Sequence, residues 1–257
     1  LLMSTPTFLL GYIRKCTPAN FRTLRFVITG AEKLKDRIAD AFSEKFGVMP
    51  MEGYGATELS PVAMMNVPDF ADAVVKQTGH KPGTVGHPLP GVAVRVVDPD
   101  TFRQLSPGEE GLLLVKGPNV MIGYIGNREK TAEVIRDGWY VTGDIAKVDD
   151  DGFVTITDRL SRFSKIGGEM VPHLKIEEAI HRALGETETV CVVTAVQDEK
   201  KGERLVVLAI RTFDSADVVK RLSENGLPNL WIPKKENFYN VAELPMLGSG
   251  KLDLKAV

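Results

Sequence analysis

A short loop at residues 53–58, with the sequence GYGATE, combines several side chains that could do chemistry. The glycines at 53 and 55 let the backbone turn sharply and approach a ligand closely. Tyr54 offers a flat ring that could stack on a base, and Thr57 offers a hydroxyl that could donate to a phosphate oxygen. Glu58 offers the hard carboxylate oxygen that Mg²⁺ prefers, usually shared with substrate phosphates. Taken alone, the stretch fits a surface loop with a solvated glutamate at least as well.

Polar side chains at three later places could act together with this loop. Asp144, which ends the sequence TGD, could accept hydrogen bonds from both hydroxyls of a ribose, although turns and helix caps are commoner roles for Asp. Arg159 presents a rigid fork of donors for a ribose or a phosphate, and a surface ion pair is the plain alternative. Lys251, in the sequence GSGK, could present an ammonium group from a flexible loop, but its spacing alone favours a solvated terminal lysine.

Spacing excludes several common kinds of site. The sequence GSGK is not a Walker A loop, because Pro245 stands where that loop needs glycine and Leu252 where it needs Ser or Thr. The acidic run DDDG is not an EF-hand loop, since positions 1 and 12 of that register would be Lys147 and Asp158. The histidines and cysteines show no metal-ligand spacing, so we predict no structural zinc.

The composition is that of an ordinary globular protein. The chain has 257 residues, 43% of them hydrophobic, which is enough for one large domain or two smaller ones. Lys and Arg number 32 against 34 Asp and Glu, so no basic excess argues for nucleic acid. Two cysteines favour a reducing compartment, here the cytoplasmic side. No apolar run is long enough to span a bilayer, so we expect any membrane association to come from regions outside this sequence.

The first part of the chain predicts an α/β layer. Residues 24–29 read as a buried strand, and the apolar residues from Leu34 to Phe46 recur every four positions, which is the spacing of one helix face. Gly47 follows as a C-cap signal. This order places the loop at 53–58 beyond the C-terminal end of a strand, where open α/β sheets commonly bind ligands.

The middle of the chain predicts short strands. Residues 66–91 are rich in Pro and Gly and read as loop. Residues 92–97 and 111–116 read as strands, residues 131–136 as a helical turn, and residues 146–157 as a hairpin. Together they fit an antiparallel or barrel-like subdomain.

The pattern resets in the last part of the chain. Apolar residues from Ile176 to Leu184 mark one face of a helix, which Gly185 ends. Residues 190–196 and 205–210 read as strands, and Ser215 is a plausible N-cap for a further helix. We therefore predict a mixed α/β (α+β) chain with a second, small α/β domain.

Taken together, the motifs resemble those of the adenylate-forming superfamily, which includes acyl-CoA synthetases, firefly-type luciferases and the adenylation domains of peptide synthetases. YGATE resembles its aromatic-G-x-T-E motif, and GWYVTGD at 138–144 resembles its G-W-x-x-T-G-D motif. GGEMVP at 167–172 resembles the glycine loop that follows the hinge, and GSGK resembles the terminal G-K motif. The resemblance implies that residues 1–160 are the C-terminal portion of the large adenylation domain and that residues 161–257 are its small mobile domain.

The resemblance also implies a role for individual residues in binding ATP and Mg²⁺. Gly30 to Glu32 would line the adenine pocket with Tyr54, and Lys251 would bridge the fatty acid carboxylate and the α-phosphate. The assigned residues are Gly30, Ala31, Glu32, Tyr54, Gly55, Thr57, Asp144 and Arg159 for the nucleotide, Glu58 for Mg²⁺, Lys251 with Thr57 and Glu58 for catalysis, Gly167 and Gly168 for the second step, and Ser161 for the hinge.

The implied reaction joins a fatty acid to AMP and then passes the acyl group to a thiol. Within the superfamily, the phrases GAEKL at 30–34, EGYGATELSPV at 52–62 and RLSRFSKIGGEMVP at 159–172 resemble the synthetase half of bifunctional acyl-acyl-carrier-protein synthetase/2-acylglycerophosphoethanolamine acyltransferases. That likeness implies an acyl carrier protein as acceptor, a lysophospholipid partner for an acyltransferase half outside this sequence, and attachment of the whole protein to the bacterial inner membrane.

Three departures from the family pattern set the alternatives. Asp158 stands where the family usually has Gly, and Ser161 where the hinge residue is usually Asp or Lys. The family's phosphate loop with its lysine is not found in this sequence, so we expect the chain to be a fragment that is inactive alone. The alternatives are a long-chain fatty acyl-CoA synthetase, with coenzyme A as the acceptor, and a non-catalytic nucleotide-binding module.

Overall fold

The computed structural model describes residues 1–186, 189–199, 201–246, 252–253 and 256–257. The chain divides into two compact units, Leu1–Thr157 and Asp158–Val257. The predicted boundary at residue 160 lies close to this division. Within the described residues, none of the helices is long and apolar enough to cross a membrane.

The first unit contains helices and strands in mixed order. Its helices are α1 (Pro6–Lys15), α2 (Asp36–Phe46) and α3 (Arg128–Val134). Its strands are β1 (Leu2–Ser4), β2 (Val27–Thr29), β3 (Pro50–Gly55), β4 (Val62–Met65), β5 (Phe70–Ala71), β6 (Lys76–Gln77), β7 (His87–Pro88), β8 (Ala93–Val97), β9 (Gly111–Lys116), β10 (Ile135–Arg136), β11 (Trp139–Val148) and β12 (Val154–Arg159), the last of which ends in the second unit.

The first sheet has the order β1-β2-β3-β4-β7. β1, β2 and β3 run parallel, with Ile28 opposite Met51, whereas β4 and β7 are antiparallel to their neighbours. The parallel part with α1 and α2 is the predicted α/β layer. Tyr54 lies in this layer, near the C-terminal end of β3.

Helix α2 shows how the local sequence produces this layer. Ile38 and Phe42 lie one turn apart and are buried with Val27 of β2, and burial of such a side chain contributes about 1.5–3 kcal/mol. Gly47 takes the left-handed conformation (φ 73°) that ends the helix, which confirms the predicted C-cap. The strand predicted at 24–29 is shorter, because the Leu24 N–H turns back to the Phe21 carbonyl at 2.8 Å.

The second sheet has the order β10-β11-β9-β8, with β12 also paired to β11. The hairpin predicted at 146–157 is confirmed by the pairing of β11 with β12. The predicted barrel-like form was wrong, whereas the antiparallel arrangement is observed. The sheet is open, and no pairing joins β8 to β10 among the described strands. Closure needs terminal strands that pair with a matching stagger, and β10 has only two residues with which to pair.

Two loop predictions for the first unit also need adjustment. Residues 66–91 contain the small hairpin β5–β6, whose turn is closed by the Asp72 carboxylate, which accepts the N–H groups of Val74 and Val75 at 2.8 and 2.7 Å. The turn predicted at 131–136 begins earlier, as α3. Asn127 caps that helix by accepting the Lys130 N–H at 2.9 Å.

The second unit packs helices against one side of a further sheet. Its helices are α4 (His173–Leu184) and α5 (Ser215–Glu224), and its strands are β13 (Phe163–Ile166), β14 (Glu169–Pro172), β15 (Cys191–Asp198), β16 (Gly202–Ala209) and β17 (Phe238–Asn240). The strand order is β14-β13-β16-β15, with β17 parallel to β16. Ile176 and Ile180 of α4 and Leu222 of α5 are fully buried in its core.

The predicted cap of α5 was wrong by one residue. The carboxylate of Asp214 accepts the N–H groups of Ala216 and Asp217 at 2.9 and 3.3 Å, and Ser215 is the first helical residue. A carboxylate satisfies two unpaired N–H groups at once and favours the positive end of the helix. The predicted C-cap of α4 at Gly185 (φ 71°) is confirmed.

Two polar residues of α4, His173 and Glu177, are buried in the second unit and have polar partners. Arg162 and Glu177 form an ion pair, and Glu177 also accepts the Val193 N–H at 2.7 Å. His173 is hydrogen-bonded to Ser164. Burial, and secondarily the Arg162 guanidinium, lowers the pKa of His173 from 6.5 to about 4, so this imidazole is neutral at pH 7.

We expect the contribution of His173 to the stability of the second unit to fall as the pH drops from 6.5 to about 4, because the imidazole takes up a proton in the unfolded chain but stays neutral in the folded chain. The contribution of neutral His173 is fully present above pH 6.5. Its loss by about pH 4 amounts to as much as ~3 kcal/mol. Urea unfolding of the chain and of His173→Gln at pH 7 and pH 4.5 measures the effect.

Comparing the parent chain with His173→Gln removes the contribution of two buried carboxylates to the pH dependence. Burial raises the pKa of both Asp158 and Glu177, which opposes the trend equally in the two proteins. The His173→Gln variant should therefore show a smaller loss of stability on acidification than the parent chain. Equal losses would contradict the assignment of this pH dependence to His173.

Candidate nucleotide site

The predicted loop at 53–58 was wrong in part, because residues 53–55 are the end of β3 and Thr57 begins a 3₁₀ helix. This segment and the TGD sequence meet in the first unit. Tyr54 Oη donates a hydrogen bond to Asp144 Oδ2, although the two residues lie 90 positions apart in the chain. Burial, followed by the nearby Asp144 carboxylate, raises the pKa of the Tyr54 phenol. The hydroxyl therefore stays protonated and acts as the donor. Tyr54 and Asp144, which the sequence singled out in two separate motifs, are thus in direct contact.

A bulge in β11 places the Asp144 side chain. The register between β11 and β9 shifts between Val141 and Ile145, so the residues of the sequence TGD lie outside the regular pairing of the two strands. Gly143 has a φ of 76°, which favours glycine. Thr142 Oγ1 donates to the Leu113 carbonyl at 2.9 Å and accepts the Asp144 N–H at 3.0 Å. The aspartate is buried and held on both sides.

The aromatic residues that precede TGD have structural roles. The Trp139 ring is covered by the Arg95 guanidinium at 4.5 Å and by the Lys116 ammonium at 5.8 Å. Tyr140 is buried in the core of the second sheet. The motif's tryptophan and tyrosine therefore help to hold β11 in place.

Glu58 is paired with a tyrosine that the sequence reading missed. Glu58 lies on a one-turn 3₁₀ helix, Thr57–Leu59, and its Oε1 accepts the hydroxyl of Tyr124 at 2.7 Å. That hydrogen bond raises the pKa of Tyr124 to about 12. The signal that could have found it is the pair Gly123-Tyr124, which repeats the Gly-Tyr pair of the 53–58 loop.

The segment from Gly30 to Glu32 follows β2 and runs beside the loop. A Cβ added to Gly30 would lie 3.4 Å from the Gly53 carbonyl oxygen, so the two backbones are in contact. Ala31 takes a left-handed φ of 69°. The Glu32 carboxylate accepts the Thr7 hydroxyl at 2.7 Å and the Thr7 N–H at 3.3 Å, at the start of α1. Gly30 is thus close to Gly53, which precedes Tyr54, and Glu32 is hydrogen-bonded to the first turn of α1.

Gly55 is needed for a reason that spacing did not reveal. A Cβ at Gly55 would lie 1.8 Å from the Pro61 carbonyl oxygen, so only glycine allows the chain to return along β4. This contact of the chain with itself accounts for the glycine, and the nucleotide-binding role of Gly55 stays a prediction. Thr57, by contrast, is exposed at the start of its turn.

The remaining predicted residues belong to the second unit. Arg159 is exposed, and its N–H donates to the Asp158 carboxylate at 2.8 Å. The other oxygen of Asp158 accepts the Leu174 N–H of α4 at 3.2 Å, so a rotation at Ser161 would have to strain or break this bond. Lys251 lies outside the described residues. The roles of Arg159, Ser161 and Lys251 stay predictions.

Gly167 and Gly168 form the two-residue turn between β13 and β14. Ile166 lies opposite Glu169, and both glycines have positive φ, 59° and 89°. A hairpin loop of this length favours glycine at such positions. The turn alone accounts for both glycines, and their second-step role stays a prediction.

Glu58 fits a magnesium ion that is shared with a nucleotide. Among the described residues, no group of three or more His, Cys, Asp or Glu side chains could hold a metal ion by itself. Mg²⁺ is commonly held by one or two carboxylates plus substrate phosphates and water. A single carboxylate fixed by a hydrogen bond is the donor set expected for such a site.

The sequence of this chain is similar to a family of AMP-binding enzymes and to individual CoA ligases. A model of the AMP-binding enzyme family matches residues 1–125. The long-chain-fatty-acid–CoA ligase of Yersinia pestis is 33% identical over 240 residues, which cover 92% of this chain and 40% of that protein. The feruloyl-CoA synthase of Amycolatopsis sp is 33% identical over 237 residues, which cover 91% of this chain and 46% of that protein.

The fold agrees with solved structures of the same kind. ATP-bound MatB from Rhodopseudomonas palustris matches with a TM-score of 0.81 at 31% identity, covering 99% of this chain and 49% of that one. The predicted mixed α/β architecture is confirmed by this match. The chain spans less than half the length of these relatives. The family match over residues 1–125, the sequence relatives and the fold are all consistent with the adenylate-forming superfamily of AMP-binding enzymes.

Proposed function

We propose that the full-length protein carrying this chain activates a fatty acid with ATP and Mg²⁺, releases pyrophosphate, and passes the acyl group from the adenylate to a thiol. The observation that carries the proposal is the hydrogen bond between Tyr54 and Asp144. It joins the candidate adenine residue to the candidate ribose residue. Residues 1–160 would supply the C-terminal portion of the large domain, and residues 161–257 the small domain.

The chemistry of each group suits a nucleoside. The Asp144 carboxylate accepts Tyr54 through Oδ2, and its oxygens have further lone pairs for ribose hydroxyls. The Tyr54 ring offers a flat surface on which a base could stack, and Gly53, which precedes it, packs against the backbone at Gly30. Arg159 would add a second contact to the ribose.

Catalysis requires cations, because the fatty acid carboxylate and the triphosphate repel each other. Thr57 would donate to the α-phosphate, and Lys251 would lie between the carboxylate and the phosphate as they meet. Mg²⁺ held by Glu58 and the nucleotide would neutralise phosphate charge. The carboxylate oxygen then forms a bond to the α-phosphorus while the bond to pyrophosphate breaks.

Two thiol acceptors remain in competition. The phrases shared with the bifunctional enzymes support an acyl carrier protein, with lysophosphatidylethanolamine reacylation by a further acyltransferase half and attachment to the inner membrane. The names of the relatives, long-chain-fatty-acid–CoA ligase and feruloyl-CoA synthase, support coenzyme A instead. Offering both thiols at equal concentration to the acyl-adenylate-loaded protein and separating the products decides between them.

The nucleotide assignment is tested by replacing Asp144 with asparagine in the full-length protein. The amide keeps the shape but loses the charge, and a hydrogen bond to a charged group contributes about 1.5–3 kcal/mol. We therefore expect ATP and AMP affinity, measured by calorimetry, to fall by about 10–100-fold.

The matched control is Asp150→Asn, on the exposed turn between β11 and β12, which should leave the affinity unchanged. Unchanged ATP affinity in Asp144→Asn would refute the ribose assignment. ATP binding by the parent protein without pyrophosphate release on adding fatty acid would instead support a non-catalytic nucleotide-binding module.

A further inference from the structure

The proposed Mg²⁺ ligand is held by a second segment of the chain at both side chain and backbone. Tyr124 Oη donates to Glu58 Oε1 at 2.7 Å, and the Met121 N–H donates to the Glu58 carbonyl at 2.8 Å. The Asn119 amide donates to the Leu59 and Val62 carbonyls at 3.0 and 3.1 Å. Residues 119–124 therefore form a clamp on the turn that carries Glu58.

The far end of this clamp is anchored to α3. The Tyr124 N–H donates to Thr131 Oγ1 at 2.9 Å, and that hydroxyl donates to the Asn127 carbonyl at 2.8 Å. The tyrosine backbone is thus fixed on one side by the helix and on the other by the Glu58 turn. A phenol held in this way has little freedom to leave the carboxylate.

We infer that Tyr124 is a positioning residue for Mg²⁺ that acts through Glu58, an inference that rests on the proposed function. A free glutamate side chain has several rotamers of similar energy, and a metal must select one of them. The Tyr124 hydroxyl occupies Oε1 and fixes the carboxylate plane, so that Oε2 can be directed at a cation. Hydrogen-bonding partners of metal-binding carboxylates commonly affect metal affinity by 10–100-fold.

The variant Tyr124→Phe removes only the hydroxyl and keeps the ring. In the full-length protein with ATP present, we expect Mn²⁺ affinity, measured by electron paramagnetic resonance, to fall by about 10-fold. The Mg²⁺ concentration for half-maximal pyrophosphate release should rise by a similar factor. The rate at saturating Mg²⁺ should change little, because the hydroxyl does not touch the reacting atoms. Tyr239→Phe, at a half-exposed tyrosine of the second unit, is the matched control and should change neither quantity.

A double-mutant cycle with Glu58→Gln separates this inference from the proposed function. If Tyr124 acts through Glu58, Tyr124→Phe should weaken Mn²⁺ binding much less in the Glu58→Gln background than in the parent protein. Full additivity, or an unchanged Mn²⁺ affinity in Tyr124→Phe while Glu58→Gln binds weakly, would overturn the inference and leave Glu58 as the ligand. Unchanged Mn²⁺ affinity in Glu58→Gln would overturn the metal site of the proposed function itself.

Discussion

Replacing Lys251 with alanine in the full-length protein is expected to slow acyl-adenylate formation by about 10²–10³-fold, the usual cost of losing one preorganised charge-stabilising donor. The lysine's proposed task is to neutralise charge as the carboxylate and the α-phosphate meet. Transfer of the acyl group from a supplied acyl-adenylate to the thiol should stay largely intact, because that step brings no carboxylate toward a phosphate. The two half-reactions are measured separately, by pyrophosphate exchange and by thioester formation.

The chain offers controls for both halves of this experiment. Lys255→Ala removes a nearby lysine outside the GSGK sequence and should leave both steps unchanged. A bulky residue at Gly168 should show the opposite pattern, with slow transfer and near-normal adenylate formation. Because φ is 89° there, Gly168→Asn, which tolerates positive φ better than most residues, adds a side chain with less backbone strain than a bulky residue does. Equal loss of both steps in Lys251→Ala would mean that the lysine maintains the fold.

The sequence predicts best those elements whose signals are local. Helix α2 follows from the four-residue spacing and from Gly47, and β9 follows from an apolar run between polar ends. Both depend on side chains within one or two turns of each other, where periodicity and capping operate. The strand at 24–29 was overextended because the turn from Phe21 to Leu24 carries no Gly or Pro to mark it.

Local sequence patterns do not predict which distant segments of the chain come into contact. The sequence singled out Tyr54 and Asp144, but their hydrogen bond depends on a bulge whose presence is set by the pairing of β11 with β9. The partner of Glu58 lies 66 positions away, and no periodicity connects it to that carboxylate. The need for glycine at position 55, where the chain returns past Pro61, is a tertiary contact that no local pattern shows. A pattern of residue types predicts where chemistry can occur, and the packing decides which atoms meet.

Replacing Glu177 with leucine is expected to destabilise the second unit by about 3–5 kcal/mol, the usual cost of removing one partner of a buried ion pair. The Glu177 and Arg162 side chains are only 9% and 13% exposed, so the remaining guanidinium would lose its hydrogen-bonded ion-pair partner and keep only electrostatic attraction to the Asp158 carboxylate. The Val193 N–H would also lose its acceptor. Urea unfolding of the 257-residue chain gives the change from the shifted midpoint of the second unit.

The double variant Arg162→Met with Glu177→Leu should recover part of this loss, because it removes both charges of the pair. The Val193 N–H would stay unpaired, at about 1–3 kcal/mol, and the Asp158 carboxylate would lose the attraction of Arg162. Glu224→Leu, in the exposed pair with Lys220 whose side chains are 62% and 72% exposed, should cost less than about 1 kcal/mol. If Glu177→Leu costs no more than this control, the buried pair does not hold α4 in place.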